Sequence, residues 1–323
     1  MLFSLVVPIY NVEKHLERCI QSLLNQDLEP DEYEIILVND GSKDNSHEIA
    51  KNFEKNSTNI KVISQENKGL SGARNTGLKK ASGKYVWFID SDDSIVNNCL
   101  TELYGFLENG NLDIAHIGYT HFFNNGTEIL YHPKSHPKGV VTGEIFFSEI
   151  QTVPTAWSFV HKRKNLTDNQ LEFFEGIIHE DEEFLPRVMF YANRVQSLNK
   201  PLYEYFENSN SIMGTKSLKS DLNKCIVLHN FKNFVQSHAC SDKFIEGLNY
   251  RAFIIFQTML MPSNFLNHSQ NDQELILEKL RSSYFYPLKW TGVFNIKFLL
   301  YKTLMNVDLK LYTTLRKLSN RAV

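Results

Sequence analysis

A chain of 323 residues with 42% hydrophobic and 22% charged side chains can bury one large core plus a smaller appended unit, and this composition excludes disordered, fibrous and disulfide-scaffold proteins. Its four cysteines, Cys19, Cys99, Cys225 and Cys240, lack CxxC spacing and stand among apolar positions, which predicts reduced core thiols of a cytoplasmic protein rather than bridges or zinc ligands. The net charge of −3 is segregated: residues 281–323 carry eight Lys/Arg against Asp308 alone, a balance of +7, and leave −10 on the rest.

Residues 3–7 form an apolar, β-rich run that lacks a basic flank and meets Pro8, so the N-terminus reads as a strand and not a signal peptide. Val12, Leu16, Cys19, Ile20, Leu23 and Leu24 then recur at helical spacing. A second strand is expected over 33–38, a helix over 44–56, a third strand over 60–64, a short helix over 72–81 and a fourth strand from Tyr85. Strands alternating with helices predict an α/β, parallel, doubly wound sheet whose ligands sit past the strands' carboxyl ends. Tyr10, Asp40 and Asp90 each fall there. Beyond Asp93 the pattern turns α+β, with a helix around Leu100, Leu103 and Leu107, a hairpin turning at Asn124-Asn125-Gly126, and a short helix over 146–150. From 217 to 323 the spacing is helical, which places a boundary near residue 216 between an α/β and α+β part and a helical C-terminal region. No uninterrupted apolar run of about 18 residues occurs, so no spanning helix is expected.

Three groups of residues carry chemistry. Asp90-Ser91-Asp92-Asp93 follows the apolar strand 85–89, and two carboxylates two apart can converge on one hard divalent cation; an acidic turn or helix N-cap before Ile95 is the structural alternative. Asp40-Gly41 ends the second strand, where a carboxylate can accept from a base N–H or a ribose hydroxyl, or form a solvated turn. Residues 67–77 open a helix with Gly69 and bring Lys68 and Arg74 near its start, which suits an anionic diphosphate; a solvated charged face is the alternative for Lys68. The glycines at 69, 72 and 77 do not make GxGxxG directly after a strand, so a dinucleotide oxidoreductase is disfavoured. Glu180, Asp181, Glu182 and Glu183 follow His179. They offset the positive end of a helix, or one of them accepts the proton of an attacking hydroxyl. Pro186 is expected to disturb that helix.

Val6-Val7-Pro8-Ile9-Tyr10-Asn11, Val38-Asn39-Asp40-Gly41-Ser42, residues 69–77, Asp90-Ser91-Asp92-Asp93 and His179-Glu180-Asp181, in this order, resemble family 2 glycosyltransferases with the GT-A fold, over roughly residues 1–215. The resemblance implies that Pro8, Tyr10 and Glu13 line the nucleotide pocket and that Asp40 meets the uracil or ribose. It also implies that Lys68, Gly69 and Arg74 lie near the nucleotide, and that Asp90, Ser91 and Asp92 form the DxD motif, with Asp90 and Asp92 holding Mg2+ or Mn2+. Asp181 is then the base of an inverting displacement. In one place the chain departs from the pattern: where relatives commonly carry an arginine for the diphosphate, Phe206 and Asn208 stand, with Lys216 the nearest substitute.

The activity so implied is transfer of a sugar from a nucleotide-sugar donor, UDP-linked, to a growing bacterial surface polysaccharide with a glycan or lipid-linked acceptor. A non-catalytic sugar-nucleotide-binding scaffold is the rival from another class. A sugar-1-phosphate nucleotidyltransferase would need a glycine-rich loop where Pro8-Ile9-Tyr10-Asn11 stands. His132 and His136 are four apart, but Pro133 and Pro137 favour a loop over a metal-binding helical face. The basic tail, with Trp290, Phe294, Phe298, Leu299, Leu300 and Tyr301, resembles an element lying on an anionic membrane surface, or packs on the catalytic domain. That points to a peripheral protein at the inner face of the cell membrane. The acidic body argues against nucleic acid as a partner.

Overall fold

The computed structural model describes residues 1–150, 152–208, 217–289 and 296–319. The expected boundary at 216, Lys216 itself, Trp290 and Phe294 lie outside the described residues, as does the side chain of Phe298. The chain divides into two compact units: Met1–Gly176 with Glu180–Asn210, and Ile177–His179 with Ser211–Val323.

The first unit opens as the periodicity predicts. β1 (Phe3–Ile9), α1 (Leu16–Leu24), β2 (Tyr33–Asn39), α2 (Ser46–Asn56), β3 (Ile60–Ser64), α3 (Gly69–Lys80) and β4 (Tyr85–Phe88) alternate. Every residue of β1 is buried, as befits a strand covered on both faces by helices. β1 pairs in parallel with both β2 and β4, and β2 with β3, so the order β3-β2-β1-β4 puts a topological switch point between β1 and β4. Pro8 helps to open it. The Ile89 N–H reaches the Val6 carbonyl at 2.9 Å, and the next rung of that ladder would need an N–H at position 8, which proline lacks. β1 and β4 therefore part at the level of Asp90. Gly77 lets α3 lie against β1, because a Cβ there would meet Val6 Cγ1 at 2.3 Å.

Beyond β4 the sheet becomes mixed. β5 (Ser94–Ile95), α4 (Leu100–Asn109), β6 (Ile114–Phe122), β7 (Glu128–Tyr131), α5 (Gly143–Glu149), β8 (Phe159–Lys162), α6 (Arg163–Asp168), α7 (Glu180–Tyr191) and β9 (Val195–Phe206) complete the unit. The full order is β3-β2-β1-β4-β8-β6-β9-β5, with β7 beside β6 as the expected hairpin. β8 runs antiparallel to β4 and β6, whereas β9 runs parallel to β6 with register shifts around Gly118. The parallel reading thus holds for β1 to β4 and gives way to hairpin logic afterwards. α7 continues through Pro186, contrary to expectation. Burial of Phe184, Leu185, Val188 and Met189 around it offsets the one lost backbone hydrogen bond.

In the second unit α8 (Leu218–Ser237), α9 (Asp242–Met259), α10 (Pro262–Phe265), α11 (Gln270–Arg281), α12 (Ile296–Val307) and α13 (Leu309–Ser319) follow one another. Ser217, Ser241 and Ser269 cap α8, α9 and α11 through their hydroxyls. α9 buries Phe244, Leu248, Phe253, Phe256 and Met259 among others, around much of its circumference. Buried Asp221 gathers His268 at 2.9 Å, Asn264 at 3.0 Å and Lys224 at 3.2 Å. Among the described residues no helix is long and apolar enough to cross a membrane.

Candidate active site

The carboxyl ends of β1, β2 and β4 carry the first residues of the site. Pro8 is buried at the end of β1, and Tyr10, just past it, is 48% exposed. The turn after Tyr10 is laced to the turn after β2: Asn11 Oδ1 accepts from the Lys43 N–H at 2.8 Å, and Val12 N–H donates to Ser46 Oγ at 2.9 Å. Glu13 belongs to that lacing, since its Oε2 accepts from Asn45 N–H at 2.9 Å at the entrance to α2.

Asp40 is buried, and its Oδ1 accepts from Gln65 Nε2 at 2.7 Å and from the Lys68 N–H at 2.8 Å. Gln65 is held in turn by Thr76 Oγ1 at 2.6 Å. The Lys68 side chain is exposed, and Gly69, with φ +75°, starts α3 beside it. Asp40, Lys68 and Gly69 thus form one wall past β2 and β3.

Asp90, Ser91, Asp92 and Asp93 form the turn between β4 and β5. Asp90 and Asp92 are half-buried, while Ser91 and Asp93 are buried. Asp93 does not share the role of the other two carboxylates: its Oδ2 accepts from Tyr203 Oη at 2.7 Å and its Oδ1 from the Phe206 N–H at 2.9 Å, so it ties the turn to β9. Burial and the neighbouring Asp92 and Asp90 raise its pKa well above the ordinary aspartate value. Asp92 is also raised, by burial and then by Asp90. Repulsion between two half-buried carboxylates is what a bound divalent cation relieves, and the donors are hard oxygens, so Asp90 and Asp92 fit Mg2+ or Mn2+.

Two bracing contacts come from Arg18, which the sequence did not single out, and from Asn208, which it did. Arg18 on α1 donates to the Asp92 carbonyl and lies 3.5 Å over the Phe206 ring. Asn208 donates to Asp92 Oδ2 at 3.2 Å, so one of the two residues that stand where an arginine is expected serves the turn itself. Nothing local in the sequence marks Arg18, 74 residues from Asp92.

Arg74 is 2% exposed and both of its terminal nitrogens are taken by carboxylates: Nη2 lies 2.7 Å from Asp90 Oδ1 and Nη1 lies 2.6 Å from Glu180 Oε1. Burial would lower its pKa, but Asp90 and Glu180 outweigh that and hold the guanidinium charged. Glu180 and Asp181 therefore differ in kind. Glu180 is buried against Arg74, whereas Asp181 is half-buried and takes a hydrogen bond from the Glu182 N–H at 2.8 Å. Burial and the adjacent Glu180 raise the Asp181 carboxyl well above its ordinary value, with Arg74 pulling the other way. The carboxyl's own burial is the largest cause, ahead of Glu180.

His136 does not pair with His132 around a metal but lies 3.0 Å from Glu149. Among the described residues no group of three His, Cys, Asp or Glu side chains is arranged to hold a metal ion.

The Glycosyl transferase family 2 profile matches residues 4–173, which spans β1 through α6. The chain belongs to glycosyl transferase family 2. Over 228 residues it is 37% identical to the uncharacterized glycosyltransferase EpsJ of Bacillus subtilis (strain 168), covering 65% of this chain and 62% of EpsJ. It is 41% identical over 127 residues to the minor teichoic acid biosynthesis protein GgaA of the same strain, covering 37% of this chain and 28% of GgaA. Against both relatives the family member described here spans less than two thirds of the partner's length. The crystal structure of S. aureus TarS 1-349 in complex with UDP-GlcNAc superposes with a TM-score of 0.72 at 20% identity, covering 100% of this chain and 92% of that one. The fold is GT-A, and enzymes of that fold commonly use divalent metals.

Proposed function

We propose that the protein is an inverting glycosyltransferase that moves one sugar from a UDP-linked donor to a hydroxyl of a growing, lipid-linked surface polysaccharide. One observation carries the reading. The Arg74 guanidinium bridges Asp90 and Glu180, so the DxD turn and the helix that bears Asp181 meet around a single side chain. The teichoic acid assignment of GgaA and the UDP-GlcNAc bound to TarS support the acceptor and donor classes.

The chain's residues then divide the work. The wall of Asp40, Lys68 and Gly69 receives the nucleoside together with Pro8 and Tyr10 at the end of β1, with Glu13 fixing the loop. Asp90 and Asp92 would hold Mg2+ or Mn2+, with Ser91 between them. A divalent cation bound there supplies positive charge to the departing diphosphate. Asp181 takes the proton of the acceptor hydroxyl as that oxygen attacks the anomeric carbon, and the configuration inverts because no enzyme nucleophile intervenes. A location at the inner face of the cell membrane accords with α12 and α13, which expose Leu299, Leu300, Val307, Leu311 and Leu315 among Lys302, Lys310 and Lys317. Anionic lipid attracts such cations by about 1 kcal/mol each.

The test is a panel of nucleotide sugars, UDP-GlcNAc among them, assayed for hydrolysis with Mn2+ present, the parent against Asp181→Asn. Turnover of a UDP-sugar by the parent and its loss in the variant is the expected result. A parent that binds UDP yet turns over no donor would make the protein a binding scaffold.

A further inference from the structure

We infer that Arg74 is a positioning residue that acts through Glu180: it ties the turn carrying Asp90 and Asp92 to the first turn of α7, and so fixes where Asp181 stands. This rests on the glycosyltransferase reading above and assigns the work of a residue that the family resemblance places beside the nucleotide.

The geometry leaves Arg74 little else to do. It is 2% exposed, Nη1 and Nη2 are on Glu180 and Asp90, and its Cζ lies 5.2 Å from the centre of the Phe173 ring. Among the described residues Nε finds no hydrogen-bond partner, so the burial is offset by the two charged contacts rather than by complete satisfaction of the group. A planar guanidinium can serve two carboxylates at once with little loss of freedom, which an ammonium cannot reproduce.

The neighbouring residue adds a second strap. Asn75 Nδ2 donates to the Phe173 carbonyl at 2.9 Å, and its Oδ1 accepts from the Phe173 N–H at 2.7 Å. Consecutive residues of α3 thus hold Phe173 and Glu180, either side of the approach to α7. Phe173 is itself stacked on Phe184 of α7, with ring centres 3.9 Å apart. The Asp181 hydrogen bond comes from its own helix, so its direction follows from where α7 begins. Glu180 is the residue through which α3 sets that beginning.

The experiment is a double-mutant cycle of Arg74→Lys, Glu180→Gln and the pair. Donor hydrolysis with Mn2+, the affinity for UDP with Mn2+ by calorimetry, and thermal unfolding are read for each protein. Glu180→Gln keeps the size of the side chain and removes one charge, so it tests the inference even if Arg74→Lys fails to fold. We expect Glu180→Gln to lower kcat about tenfold or more while KM for the donor and the UDP affinity stay within about threefold. The pair should be no slower than Arg74→Lys alone, because the two side chains act as one unit. Losses that multiply as independent effects would overturn the inference, as would a Glu180→Gln variant of parental kcat or one that no longer binds UDP. A parent that turns over no nucleotide sugar would instead overturn the function on which it rests.

Discussion

The Tyr203 hydroxyl donates a 2.7 Å hydrogen bond to Asp93 Oδ2 and accepts one of 3.2 Å from the Asp90 N–H. A single buried phenol thereby holds two members of the acidic turn. Tyr203→Phe removes both contacts and leaves a 1% exposed carboxyl short of a donor. We expect a loss of about 1–3 kcal/mol, which for a chain of this size lowers the unfolding temperature by several degrees. Differential scanning calorimetry measures it. An unchanged melting temperature would mean that Asp93 does not depend on the Tyr203 hydroxyl.

The pair Asp90 and Asp92 makes a separate claim. Asp92→Ala should abolish the Mn2+-dependent part of UDP binding and leave the weak metal-free part, because one of two carboxylates is gone while the wall around Asp40 is untouched. Titration with UDP in the presence and absence of Mn2+ separates the parts. If the variant binds UDP with Mn2+ as tightly as the parent, Asp92 is not a metal ligand.

What the sequence showed and what it hid follow one physical division. β1 to β4 were legible because each strand is a short run rich in β-branched, aromatic or leucine residues, and the turns after β2 and β4 carry Asp40 and Asp90. β8 and β9 were not, since a four-residue strand and a strand interrupted by Lys200 and Pro201 show no clean alternation. The contacts that shape the site were hidden for another reason. Arg74 and Glu180 are separated by 106 residues, and Asp93 and Tyr203 by 110, so neither pairing leaves a local pattern. The resemblance points to Asp181, and the fold adds that Glu180 beside it is taken by Arg74.

The basic tail calls for a gentler test than truncation. Removing α12 and α13 would strip Met305, Leu309 and Tyr312 from the buried set, so loss of binding could follow from unfolding. Replacing the exposed Leu299, Leu300, Leu311 and Leu315 by serine keeps those anchors. We expect co-sedimentation with vesicles rich in phosphatidylglycerol to fall to that of neutral vesicles, and to weaken with salt as a surface attraction must. Equal sedimentation of parent and variant would discard the membrane assignment.

Asp181 can work as a base only when ionised, and its carboxyl is raised by burial and by Glu180, with Arg74 opposing. The ionised fraction at a given pH falls as the pKa rises. The acid limb of kcat for donor hydrolysis should therefore lie above the ordinary aspartate value of about 3.9, with activity increasing as pH rises through it. Asp181→Asn should lower kcat about 10²-fold or more and flatten that limb, while UDP affinity stays within about threefold. Asp92 and Asp93 are raised as well, so the same limb could in principle belong to the acidic turn. The pH dependence of the UDP dissociation constant with Mn2+ separates the two, because ionisation of the turn acts on binding whereas ionisation of Asp181 acts on turnover. A limb that persists at its parental midpoint in the residual activity of Asp181→Asn would assign it to the turn and remove Asp181 from the role of base.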